Sequence, residues 1–143
     1  MDIPPDLQIK SSIKPGSVYY FSDEKLTSKN PHFFVVINRD PLSDAVLLLL
    51  CASSKIEKKR MWYSACPSET LVEVSPTQYR DFTVPTIINC NVVFDFTISQ
   101  LIAKRASGLL YFKTEMDISI IEELRKGVLA SPTVEHKFKA LLR

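Results

Sequence analysis

The densest run of reactive side chains, Ser53-Ser54-Lys55, follows the apolar segment Ala45–Cys51 after a single Ala52. An apolar strand that ends in two hydroxyls and an ammonium sets polar groups at the rim of a core. Hydroxyls there can hydrogen-bond phosphate oxygens, and Lys55 can hold negative charge. The same three residues also make an ordinary Ser-rich turn at a strand end. His32 opens a second apolar segment just after Pro31. An imidazole at a strand end can act as a general acid or base near neutral pH, or it can be a rim residue with no such role. The stretch Lys58-Lys59-Arg60-Met61-Trp62-Tyr63 carries the clearest nucleic-acid pattern, with Trp62 the single Trp of the chain. Single-stranded RNA is held by cations that track its backbone and by aromatic rings that stack on its bases. A charged hairpin loop followed by a core-facing strand would read the same way. Arg39, Lys29 and Asn30 flank the His32 segment and extend such a surface, whereas His136 is read as solvated.

Several kinds of chemistry are excluded. Neither a GxGxxG nor a GxxxxGK[ST] loop occurs, and three glycines leave few places for backbone to approach a phosphate closely. HExxH is impossible with His32 and His136 alone, and there is no GxSxG elbow. Glu122 and Glu123 are adjacent and point to different faces of their helix, so they cannot pair as catalytic acids. Cys51, Cys66 and Cys90 form no CxxC pair and have no His nearby, so neither zinc nor a disulfide framework is expected. No metal or other cofactor is expected.

With 143 residues, 45% apolar and 24% charged, the chain is expected to fold as one domain over residues 1–143. The net charge of +2 is too small to imply nucleic-acid binding from the total, so local clustering must carry it. The longest strongly apolar run, Ala45–Cys51, has seven residues. A bilayer span needs about 20, so no membrane contact is expected. The acidic, Pro-bearing start Met1-Asp2-Ile3-Pro4-Pro5-Asp6 is the opposite of a signal peptide, and a cytoplasmic location is expected.

The elements that would position these side chains read mostly as strands. An arm of about 14 residues leads to the Lys14-Pro15-Gly16 turn and a strand at Val18–Phe21. A polar loop, residues 22–30, precedes the strand His32–Asn38. The turn Asp40–Asp44 then leads into Ala45–Cys51, and the pair suggests a central hairpin buried on both faces. Further strands are expected at Thr70–Val74, Ile87–Phe96 and Leu109–Phe112. The period then changes to helical. Asp117 caps a helix over Ile118–Leu129, and Ser131-Pro132 opens a second. Strands followed by helices predict an α+β domain or a small barrel with helical additions.

In this order the elements resemble the PemK/MazF-like endoribonuclease toxins of toxin–antitoxin systems. The resemblance lies in the opening Lys14-Pro15-Gly16-Ser17-Val18-Tyr19, in Pro31-His32-Phe33-Phe34-Val35-Val36-Ile37 after a polar loop, and in an apolar strand ending at Ser53-Ser54. It covers roughly residues 13–113. It implies a mainly β fold, an SH3-like antiparallel β-barrel over residues 15–113 with C-terminal helices over 117–142. It also implies a homodimer, an antitoxin protein as partner, and metal-independent cleavage of single-stranded RNA through a 2′,3′-cyclic phosphate. On the family pattern the hydroxyl after the second apolar strand is Ser53, with Ser54 beside it. The family's catalytic Arg precedes the Pro of the first apolar strand, and that position is Asn30 here. The expected catalytic set is therefore Ser53, Ser54, His32 and Lys55. The expected RNA contacts are Arg39, Lys58, Lys59, Arg60, Trp62 and Tyr63. The departure at Asn30 keeps open a catalytically inactive barrel that binds RNA or a protein partner, or one that only receives an antitoxin-like peptide.

Overall fold

The computed structural model describes residues 3–26 and 28–143. Met1 and Asp2 of the expected arm, and Thr27 of the expected polar loop, lie outside them. Seven strands form one antiparallel sheet: β1 (Val18–Phe21), β2 (His32–Val36), β3 (Leu47–Ser53), β4 (Leu71–Val74), β5 (Thr86–Asn89), β6 (Phe94–Phe96) and β7 (Tyr111–Lys113). Their order is β4-β5-β3-β2-β1-β7, with β6 added against β3. The helices are α1 (Pro5–Ser12), α2 (Ile56–Trp62), α3 (Ile98–Ala106), α4 (Ile118–Ala130) and α5 (His136–Ala140).

The expected central hairpin is present. β2 and β3 pair with Phe34 opposite Cys51, Val35 opposite Leu50 and Val36 opposite Leu49. Successive side chains of a strand point to opposite faces. Val35, Leu48, Leu50 and Ala52 accordingly enter one core with α4, β4 and β5. Phe34, Val36, Leu47 and Leu49 enter a second core with Ile9 and Ile13 at the N-terminus and Leu101 of α3. Burying each such side chain stabilises by about 1.5–3 kcal/mol. Two cores on two faces explain why both segments are apolar without alternation.

The same fact accounts for a departure from expectation. The sheet does not close into a barrel, since β4 and β7 end the strand order. A barrel turns one face of its strands outward, but here β2 and β3 have apolar residues on both faces. Helices cover what a barrel wall would leave bare, so the molecule is a mixed α/β domain with helices along its whole length. The expected N-terminal arm contains α1, whose Ile9 is fully buried. α3 was not expected from the sequence. Its start carries a capping box, in which the Thr97 hydroxyl accepts from the Gln100 amide at 3.1 Å and the Gln100 side chain accepts from the Thr97 amide at 2.8 Å.

Smaller corrections have local causes. The segment expected as one strand from Ile87 to Phe96 is split into β5 and β6, because the Asn89 side chain accepts from the Asn91 amide at 3.0 Å and turns the chain. Asp117 caps α4 as expected, accepting from the Ser119 amide at 2.8 Å. Ser131 instead ends α4, and its buried hydroxyl donates to the Asn91 side chain at 2.7 Å. At the far end of the hairpin, Arg125 of α4 donates to the Ile37 carbonyl at 2.8 Å, the Asn38 carbonyl at 3.1 Å and Glu122 at 2.6 Å. That buried guanidinium fastens the helix to two carbonyls just beyond the end of β2.

Candidate functional site

The hairpin register, carried two residues beyond its last bonded pair, sets His32 opposite Ser53. Both fall on the face of Phe34 and Cys51, at the end of the sheet where β2 begins and β3 stops. α2 starts three residues beyond the end of β3, with Lys55 as its N-cap, and packs beside β5. A cleft of about 650 Å³ opens at this corner.

His32, Ser53, Ser54, Lys55, Lys58 and Lys59 line that cleft, together with Trp62. Most of the expected catalytic and RNA-contacting residues are therefore gathered in one place. The Lys58 ammonium lies 4.5 Å from the Trp62 ring centre and that of Lys59 5.6 Å from it. The His32 Nδ1–H donates to the Asn30 carbonyl at 2.8 Å, since a carbonyl can only accept. In the neutral ring Nε2 then carries the free lone pair. The Ser53 hydroxyl oxygen accepts from the Lys55 amide at 3.1 Å. Its own proton has no partner among the described residues.

Three expected contacts lie outside this cleft, and one of them, Tyr63 at the C-terminal end of α2, lines a smaller cavity beside it. Arg39 is at the opposite end of β2, where it donates to the Leu142 carbonyl at 2.7 Å and approaches Glu122 at 3.7 Å. Arg60 is turned toward β4, paired with Glu57 and Glu73. α2 is itself a correction, because the Lys58–Tyr63 stretch is a helix and not a hairpin loop. Helical spacing explains the split, since Lys58, Lys59 and Trp62 share a side that Arg60 does not.

The structure adds residues that sequence reasoning missed. Lys113 of the edge strand β7 lies 5.2 Å from the Tyr20 ring centre and 5.9 Å from that of Phe33, and all three line the cleft. Tyr20 and Phe33 stack at 4.8 Å across the β1–β2 pair. Asp81 also lines the cleft. Amide donation from Thr114 holds its carboxyl below the usual range, against a smaller upward push from burial. Local sequence could not reveal Lys113, which reaches the site only through β7 pairing with β1. Among the described residues one carboxylate stands against Lys55, Lys58, Lys59 and Lys113, so the cleft is cationic.

No family model and no curated protein matches this sequence. The site must therefore be read from its own chemistry. Four ammonium groups, exposed aromatic faces and hydroxyl donors suit a polyanion that carries flat rings. Among the described residues no arginine lines the cleft. Among the described residues no group of three or more His, Cys, Asp or Glu is placed to hold a metal ion, and no helix is long and apolar enough to cross a membrane.

Proposed function

We propose that this protein binds single-stranded RNA in the cationic cleft and cleaves it there without a metal, as a toxin of the PemK/MazF type. The observation that carries this reading is the convergence of His32, Ser53 and Lys55 with Lys58, Lys59 and Trp62 in one cleft. The antiparallel sheet, with β3 shared between β5 and β6 along one edge, supports an opened relative of the SH3-like barrel.

In the proposed reaction, His32 Nε2 removes the proton of a ribose 2′-OH, and the 2′-oxygen bonds to the adjacent phosphorus. The bond from phosphorus to the 5′-oxygen breaks, leaving a 2′,3′-cyclic phosphate and a 5′-OH. The Ser53 hydroxyl donates to the phosphorane oxygens, the Lys55 ammonium gives a proton to the departing 5′-oxygen, and exchange through solvent afterwards returns the proton held by His32 to Lys55. An antitoxin protein, a homodimeric state and a cytoplasmic location belong to the same proposal.

A second reading is favoured by one observation. Position 30 is Asn, and among the described residues no arginine replaces the family's guanidinium in the cleft. A cleft that binds RNA or a protein partner without cleaving would look the same in every other respect. The deciding experiment incubates purified protein with mixed-sequence single-stranded RNA in EDTA and analyses the fragment ends. Ser53→Ala/His32→Ala protein serves as the control for contaminating nuclease. Cyclic-phosphate ends from the parent alone establish the enzyme, and intact RNA with salt-sensitive binding establishes the binding module.

A further inference from the structure

A second, smaller cavity of about 270 Å³ adjoins the cleft and shares His32, Ser53, Lys59 and Trp62 with it. It lies on the side of the sheet to which Cys51 and Phe94 point, and Tyr63 and Trp62 contribute aromatic walls. Asn89 of β5 lines it and is only 7% exposed. The Asn89 carbonyl oxygen is already engaged, accepting from the Asn91 amide at 3.0 Å and from the Asn91 side chain at 3.1 Å. Those bonds settle which end of the amide is which. They leave Nδ2, a donor of two hydrogen bonds, with no partner among the described residues. Among the described residues no buried side-chain nitrogen or oxygen lacks a partner, so Nδ2 is open to solvent at the cavity, where a ligand can accept from it.

The polar groups here are mainly donors: Asn89 Nδ2, the Ser53 hydroxyl proton and the ammonium groups of Lys25 and Lys59. Resting on the RNA reading of the adjoining cleft, we infer that this cavity is a nucleobase pocket. It takes the base of one nucleotide of single-stranded RNA and selects bases with a ring carbonyl over adenine. The base stacks within the Trp62, Tyr63 and Phe94 walls and presents its carbonyl to Asn89. The backbone crosses the ridge formed by His32 and Ser53, which borders both cavities. Adenine is the one RNA base without a carbonyl oxygen. Stacking alone would favour it over the smaller uracil, so a preference for uracil has to come from hydrogen bonding.

The test measures binding and not cleavage. Fluorescent 2′-O-methyl oligo(U) and oligo(A) 12-mers, which lack the attacking hydroxyl, are titrated by anisotropy against the full chain. Two variants are compared with the parent. Asn89→Asp keeps the oxygen that accepts from Asn91 but removes the donor, and Val92→Trp fills the cavity from its exposed rim. The expected result is tighter binding of oligo(U) by roughly tenfold, a ratio that falls to about threefold or less in both variants. Equal affinities in the parent, or a ratio that survives both variants, overturn the base pocket and leave the RNA cleft standing. No salt-sensitive binding of either oligomer overturns the cleft reading, and the pocket with it.

Discussion

His32 and the backbone of Asn30 are joined by a 2.8 Å hydrogen bond from Nδ1 to the carbonyl oxygen. The contact orients the imidazole through main chain, two residues away, and leaves Nε2 unengaged beside Ser53. A ring held in this way is preorganised for proton transfer.

If His32 is the general base, His32→Ala lowers the RNA cleavage rate by about 10²–10⁴-fold, the usual contribution of such a group. RNA affinity, measured separately by anisotropy, stays within a few-fold of the parent. Loss of affinity as large as the loss of rate would place His32 in binding instead.

The cleft lysines make a prediction about salt. Plotting the logarithm of the RNA association constant against that of salt concentration gives a slope of about −0.7 per phosphate neutralised on a single strand. Lys58→Ala and Lys113→Ala should each flatten that slope by about 0.7. Arg39→Ala should leave it unchanged, because its guanidinium serves the Leu142 carbonyl at the other end of the sheet. A change of slope in the Arg39 variant would show that RNA reaches well beyond the cleft.

Gly127 lies inside α4, where Ala would ordinarily gain roughly 1 kcal/mol. Here a Cβ would stand 2.6 Å from Cys90 Sγ and 2.7 Å from the Glu69 carbonyl oxygen. Gly127→Ala is therefore expected to destabilise by about 1–3 kcal/mol, through overpacking that outweighs the helix preference. Urea denaturation checks it, and an unchanged or raised midpoint would sink the idea.

Acid sensitivity has a partly buried source. Burial alone would raise Asp23, but the Lys104 ammonium at 2.8 Å and the amide of Lys25 outweigh it and hold the carboxyl below its ordinary value. A depressed pKa contributes stability that is present above the unfolded value, about 3.9, and is lost as pH falls through the folded one. Stability should thus fall below about pH 4, with Asp23 responsible for on the order of 1 kcal/mol of the loss. Asp23→Asn protein, compared by denaturation at pH 7 and pH 3, should lose less stability over that interval than the parent.

Much of the frame was legible in the chain. Runs of branched and aromatic residues identified β1, β2 and β3. The short Asp40–Asp44 turn made β2 and β3 neighbours, and Asp117 marked the start of α4. The candidate residues at 32 and 53–55 stood out because polar chemistry follows or opens an apolar strand. These are local signals, set by covalent order and side-chain preference.

The remainder depended on contacts between residues far apart in sequence. Whether strands buried on both faces close into a barrel or take helical cover is decided by what α1, α3 and α4 pack against, and no local window contains that. Thr97 and Gln100 did carry a readable capping signal for α3, but Ile9 of α1 shows its purpose only against the second core. Arg39 and Lys113 make the same point at the site. Arg39 is near His32 in sequence yet held at the other end of β2, while Lys113 is remote in sequence yet brought to the cleft by strand pairing. Side-chain type by itself determined which chemistry was available, and long-range pairing decided which groups meet, because a site is a set of distances that chain order does not specify.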